Sequence, residues 1–92
     1  MVERRIRIVN RLGLHARAAA QLVRMANGYR CTLRLERLDG SAKADAKSIL
    51  SVLMLAASRG TELVLAAEGT DEMEAVSAVC ELIASGFGEM EA

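Results

Sequence analysis

Seven periodic segments follow one another along the chain, four with apolar residues at every second position and three with apolar residues at helical spacing. Val2 to Val9 places Val2, Ile6 and Ile8 on one side and Glu3, Arg5 and Arg7 on the other, the mark of a half-buried strand. From Ala16, the residues Ala16, Ala19, Ala20, Val23 and Ala26, widened by Leu22, form the apolar stripe of a helix that stops at Asn27-Gly28. Cys31, Leu33 and Leu35 alternate with Thr32, Arg34 and Glu36 as a second strand, Asp39-Gly40 signals a hairpin, and Ser41 to Asp45 is a short third strand. A helix is expected from Ser48 to Ser58, carried by Ile49, Val52, Leu53 and Ala56 and closed by Gly60. Thr61 to Glu68 is a fourth strand, with Leu63, Leu65 and Ala67 on its apolar side. The last helix has Thr70 as its expected N-cap, Asp71, Glu72 and Glu74 in its first turn, a core stripe of Val76, Val79, Cys80 and Ile83, and an end at Gly86. Strands that are apolar on one side only need only one covered face. The order β-α-β-β-α-β-α therefore predicts an α+β open-faced β-sandwich: a four-stranded antiparallel sheet with three helices on one face.

Residues 1–92 suit a single domain, which buries roughly 60–65% of its unfolded surface. The chain is 52% apolar but only 2% aromatic, so its core must be aliphatic. Glu3, Arg4, Arg5 and Arg7 interrupt any signal-like apolar run near the start, and no run approaches membrane-spanning length. Cys31 and Cys80 lack metal-ligand spacing and read as small buried hydrophobes of a reducing compartment, which makes a cytoplasmic location the simplest expectation. Net charge is zero but unevenly spread. Eight arginines and no acid lie between Arg4 and Arg34, whereas eight acids and no basic residue follow Arg59. That asymmetry favours an anionic partner for the N-terminal part.

The single histidine, His15, stands where the first strand gives way to the first helix, within Gly13-Leu14-His15-Ala16-Arg17. Unpaired amides and the positive end of the helix dipole favour an anion there. The third helix has a hydroxyl and three acids to satisfy its first amides, but the first helix has none: positions 13 to 16 hold no Ser, Thr, Asp or Asn. A missing cap costs on the order of 1 kcal/mol, as it would if the amides were kept for a transient ligand. Arg17 adds a positive group in the same turn, and Arg17, Gln21 and Arg24 share a polar rim suited to an acidic partner. No second histidine or cysteine pair supports a metal site, so neither a metal nor a cofactor is expected. A hydrolase is equally unsupported, since no nucleophile motif or orienting acid is apparent.

Gly13 to Arg17 after the first strand, Lys47-Ser48-Ile49 opening the second helix, and Gly86-Phe87-Gly88-Glu89 near the end together resemble the HPr family. These are the histidine-containing phosphocarriers of the bacterial phosphoenolpyruvate-dependent phosphotransferase system. The resemblance spans about residues 1–88. It implies a stoichiometric carrier rather than an enzyme, in which His15 accepts a phosphoryl group on Nδ1 from phospho-enzyme I and passes it to an enzyme IIA domain or a regulatory target. Arg17 would steady the phosphoryl charge and the first-turn amides near Ala16 and Arg17 would bind its oxygens. Ser48 matches the serine that an HPr kinase/phosphorylase modifies in many members. Ile49, Leu50, Leu53 and Met54 would form an apolar docking surface. Leu50 and Met54 are the better candidates for exposure, because Ile49, Val52, Leu53 and Ala56 also fit a core stripe.

Many members of the family carry proline where this chain has Ala18, and often glycine where it has Ser51. Sugar uptake and a regulatory, nitrogen-type phosphotransferase chain are both compatible with those departures. Two other classes fit the bare sequence: a small nucleic-acid binder using the arginine-rich segment, and a ligand-sensing regulatory domain that pairs through its sheet. Tyr29 and Phe87 are the only aromatics and offer no stacking platform for nucleic acid. A carrier that presents His15 to successive partners is best suited to being a monomer.

Overall fold

Strand alternation resolves into one sheet in the computed structural model, which describes residues 1–89. Glu91, one of the eight acids after Arg59, lies outside them. The strands are β1 (Val2–Arg7), β2 (Thr32–Arg37), β3 (Lys43–Asp45) and β4 (Glu62–Glu68), and the helices are α1 (Ala16–Ala26), α2 (Ile49–Met54) and α3 (Glu72–Ala84). All strand pairs are antiparallel, in the order β1-β4-β2-β3. The register aligns Val2 with Ala67, Ala67 with Leu33, and Leu65 with Leu35, which gathers the apolar side of every strand onto one face. The three helices cover that face, as the one-sided strands require. Glu3, Arg5, Arg7, Glu62, Arg34 and Glu36 carry the opposite face, which no helix covers.

The core is aliphatic. Leu33, Leu35, Leu63, Leu65 and Ala67 from the sheet meet Ala18, Ala19, Leu22 and Ala26 of α1, Val52 of α2, and Ala75, Val76, Val79 and Ile83 of α3. Phe87 is the one buried ring among the described residues. It sits in a single 3-10 turn (Gly86–Gly88) that continues the chain beyond the end expected for α3 at Gly86.

Several local expectations are corrected. The stripe of α1 is rotated: Ala18 is buried and Ala16 is exposed, because the core side lies opposite the exposed Arg17 and Arg24, and Ala16 falls at its edge. The second helix is only six residues long and ends at Met54 instead of reaching Ser58; Ala56 at φ 50 stops it. Of Ile49, Val52, Leu53 and Ala56, only Val52 is core. Asp71 and not Thr70 precedes α3, and its carboxylate does not cap that helix. It accepts instead from the backbone N–H groups of Arg30 (2.8 Å) and Cys31 (2.9 Å), tying the start of β2 to the start of α3. The Arg30 amide above all holds the Asp71 carboxyl below its ordinary range.

One close approach fixes the loop ahead of α1. Gly13 lies at φ 66, and a Cβ there would come 2.5 Å from the Ala57 carbonyl oxygen and 2.9 Å from Ser58 Cα. The Leu14 N–H donates to that same Ala57 carbonyl at 2.9 Å. Gly13→Ala is therefore expected to cost about 2–4 kcal/mol in urea unfolding, combining left-handed strain with overpacking. Gly40→Ala, at φ 78 with open space around it, should cost only about 1 kcal/mol. Equal losses at the two sites would refute the packing argument.

Candidate functional site

The turn that ends in His15 is built by the chain's own backbone. The Gly13 N–H donates to Asn10 O (3.1 Å) and the His15 N–H to Gly13 O (2.9 Å), so the histidine leaves the turn extended, at φ −74 and ψ 176. It occupies the N-cap position of α1, yet its side chain makes no capping hydrogen bond. The Ala19 N–H is the first to bond back along the helix, to His15 O at 2.8 Å. The amides of Ala16, Arg17 and Ala18 precede that ladder, no acid lies in the first turn, and the helix begins without a side-chain cap, as its sequence indicates.

Sequence reasoning missed what holds the ring. Glu89, 74 residues away, brings its carboxylate to His15 Nε2 at 2.9 and 3.0 Å. The ring is 23% exposed, so it is oriented but reachable. Glu89 is itself held by Asn10, whose Nδ2 donates to Glu89 Oε1 at 2.6 Å and to Gly13 O at 2.8 Å. Asn10 is fully buried, and its Oδ1 has no hydrogen-bond partner among the described residues. The Asn10 amide first, and then His15, hold the Glu89 carboxyl below its usual range against the opposing effect of burial. An ionised carboxylate on Nε2 favours the tautomer protonated there, which leaves Nδ1 with the lone pair.

Arg17 completes the group. Its Nη2 stands 3.9 Å from Glu89 Oε2 while the side chain remains 72% exposed. Arg11, Leu12, Arg17 and Glu89 line a depression of about 180 Å³ beside the ring. The structure thus brings together His15, Arg17 and the Ala16 and Arg17 amides, and adds Asn10 and Glu89. Glu89 belongs to the Gly86–Glu89 run that carries part of the family resemblance, but nothing in that run indicates contact with the histidine. Asn10 gave only the weak signal of a polar residue directly after a strand.

The remaining candidates lie on exposed surface. Leu50 and Met54 are 73% and 78% exposed, Ile49 and Leu53 about half as much, and Arg24 is exposed on α1. Ser48 is the N-cap of α2, its Oγ accepting from the Ser51 N–H at 3.4 Å, and it is not part of the histidine cluster. Among the described residues no helix is long and apolar enough to cross a membrane.

Comparison with known proteins identifies the family. The family model described as "PTS HPr component phosphorylation site" matches residues 2–85. The phosphocarrier protein HPr of Pseudomonas aeruginosa is 51% identical over 86 residues, covering 94% of each chain. The phosphocarrier protein NPr of Escherichia coli K12 is 38% identical over 88 residues, covering 96% of this chain and 97% of the other. The crystal structure of HPr-C-His from Thermoanaerobacter tengcongensis superposes with a TM-score of 0.92 at 42% identity, covering 99% of this chain and all of that one. A histidine heading an uncapped helix under an open sheet, matched across nearly the whole chain by sequence and by fold, places this protein in the HPr family.

Proposed function

We propose that this chain is a phosphotransferase-system phosphocarrier in which His15 Nδ1 receives a phosphoryl group from phospho-enzyme I and delivers it to enzyme IIA-type domains or their regulatory, nitrogen-branch counterparts. One observation carries the reading: Glu89 occupies Nε2, so the nucleophilic lone pair resides on Nδ1 at the head of a helix whose first amides have no side-chain cap. In the transfer, the Nδ1 lone pair forms a new P–N bond as the bond between phosphorus and the donor's nitrogen breaks, and the electron pair of that bond returns to the donor. His15 keeps its Nε2 proton, and the positive charge then shared by the ring faces the Glu89 carboxylate. Phosphoryl transfer asks little covalent chemistry of the protein and depends on positioning and charge. Arg17, loosely held at 3.9 Å from Glu89, turns to the phosphoryl oxygens, and the Ala16 and Arg17 amides supply fixed donors. The carrier is regenerated at each handover, acts as a monomer in the cytoplasm, and catalyses no reaction of its own.

Ile49, Leu50, Leu53 and Met54, with Arg24 across the gap on α1, are the docking surface in this reading, apolar at the centre and cationic at the rim. Ser48 adjoins that surface, and an HPr kinase/phosphorylase modifying it would place a charged group against the partner's docking face. Neither nucleic-acid binding nor ligand sensing is favoured by the comparisons.

Incubation with enzyme I and phosphoenolpyruvate is expected to add one acid-labile phosphoryl group to the wild type and none to His15→Gln, read by intact mass. No gain in the wild type, with enzyme I shown to be competent on another carrier, would sink the proposal. Leu50→Asp and Met54→Asp should raise the KM for enzyme I about tenfold and leave kcat within about twofold, since they touch docking and not chemistry. The pH dependence of Glu89 follows from its depressed pKa. A carboxylate held below its unfolded value stabilises the fold at pH values above that value, and the contribution disappears as pH falls through the lower, folded one. Glu89→Gln should therefore unfold more easily than wild type at neutral pH, and the two urea midpoints should converge in acid. A gap that stays constant down to about pH 3 would deny the Glu89 carboxylate this role.

A further inference from the structure

Alternation along β2 puts Leu33 and Leu35 on the covered face of the sheet, and the next residue on that face is Arg37, in register with Leu63 and, beyond it, Ile6. A cation there is out of pattern, and its side chain is only a quarter exposed. Its backbone is pinned by the β2–β3 hairpin: the Arg37 N–H donates to Ala42 O at 2.9 Å, and Arg37 O accepts from the Gly40 N–H at 2.8 Å. From that fixed base, Arg37 Nη1 donates to Leu55 O at 3.0 Å and to Ala56 O at 3.3 Å, while Nε lies 3.6 Å from Asp39 Oδ2. The C-terminal turn of α2 has no basic residue of its own, and the cation that meets the carbonyls there comes from the end of β2.

Those carbonyls lead directly into the seat of the histidine loop. Ala56 is at φ 50, a left-handed conformation that residues with a Cβ rarely adopt and that persists only where its surroundings impose it. The next carbonyl, Ala57 O, accepts the Leu14 N–H at 2.9 Å, one residue before His15, and the backbone of 57–58 fills the space that the missing Gly13 side chain leaves open. We propose that Arg37 is a positioning residue for His15: by clamping Leu55 O and Ala56 O it holds Ala56 in its left-handed turn, and so sets the Ala57 carbonyl on which the Gly13–His15 backbone is seated. The inference rests on His15 being the phosphoryl acceptor. It adds a contributor on the far hairpin that never meets the phosphoryl group.

The test uses the whole chain as Arg37→Met, Arg37→Lys, Ala56→Gly and the double variant Arg37→Met/Ala56→Gly. Two readouts are taken: hydrogen exchange at the Leu14 amide, and steady-state phosphoryl acceptance from phospho-enzyme I. Arg37→Met is expected to speed Leu14 exchange about tenfold and to lower kcat about fivefold, with a smaller change in KM because no docking side chain is replaced. Arg37→Lys, which keeps a donor and the stem, should recover part of both effects, and it keeps the comparison readable if Arg37→Met fails to fold. Ala56→Gly removes the steric objection to a positive φ, so adding it to Arg37→Met should restore both readouts most of the way. The proposal is overturned if Arg37→Met only lowers the unfolding midpoint while Leu14 exchange and kcat stay at wild-type values. It is equally overturned if Ala56→Gly rescues nothing. A wild type that takes up no phosphoryl group would count against the phosphocarrier reading instead, and Leu14 exchange would still decide whether the clamp exists.

Discussion

The seating of residues 13–14 on residues 57–58 is the contact on which the rest of the site depends. Without a side chain at Gly13, the two backbones approach until the Leu14 N–H reaches Ala57 O, and this closeness turns the chain so that His15 leaves extended and α1 begins directly after it. Any Cβ at position 13 would push the loop off its seat, and with it the ring, the first-turn amides and Arg17. The core beneath supplies the rigidity. Ala18 and Ala19 are fully buried, so the first turn of α1 is anchored in the core by its own methyl groups while the Arg17 side chain remains on the outside.

Electrostatics at the site are arranged around a carboxylate and not around the histidine alone. Asn10 holds the Glu89 carboxyl below its usual range, and an ionised Glu89 favours a proton on Nε2, so a buried amide acts on the imidazole through an intermediate it grips at 2.6 Å. Asn10 is wholly buried, and the donor half of its amide serves two acceptors at once, the Gly13 carbonyl and Glu89.

The sheet was legible in the sequence because each strand is apolar on one side, and period-two patterns survive small errors in their ends. Leu33, Leu35, Leu63, Leu65 and Ala67 all lie where alternation puts them. The helices were less legible for two different reasons. In α1, the spacing of alanines taken alone set the apolar stripe too far round, and Ala18 took the place expected of Ala16, on the side opposite the exposed Arg17 and Arg24. In α2, the pattern runs on through Leu55, Ala56 and Ala57, but a cation from β2 and a seat for Gly13 end the helix early. His15 and Arg17 were visible because their chemistry is local. Asn10 and Glu89 became partners only once the fold brought residues 79 positions apart together.

Phe87 gives that meeting a further meaning. Its ring is buried in the core within the same short turn that delivers Glu89 two residues later, so that turn is anchored by an aromatic side chain. Because ring and carboxylate share the turn, a local opening of residues 86–89 would withdraw the phenylalanine from the core and the carboxylate from the imidazole together. The packing of one aromatic side chain is thereby tied to the orientation of His15.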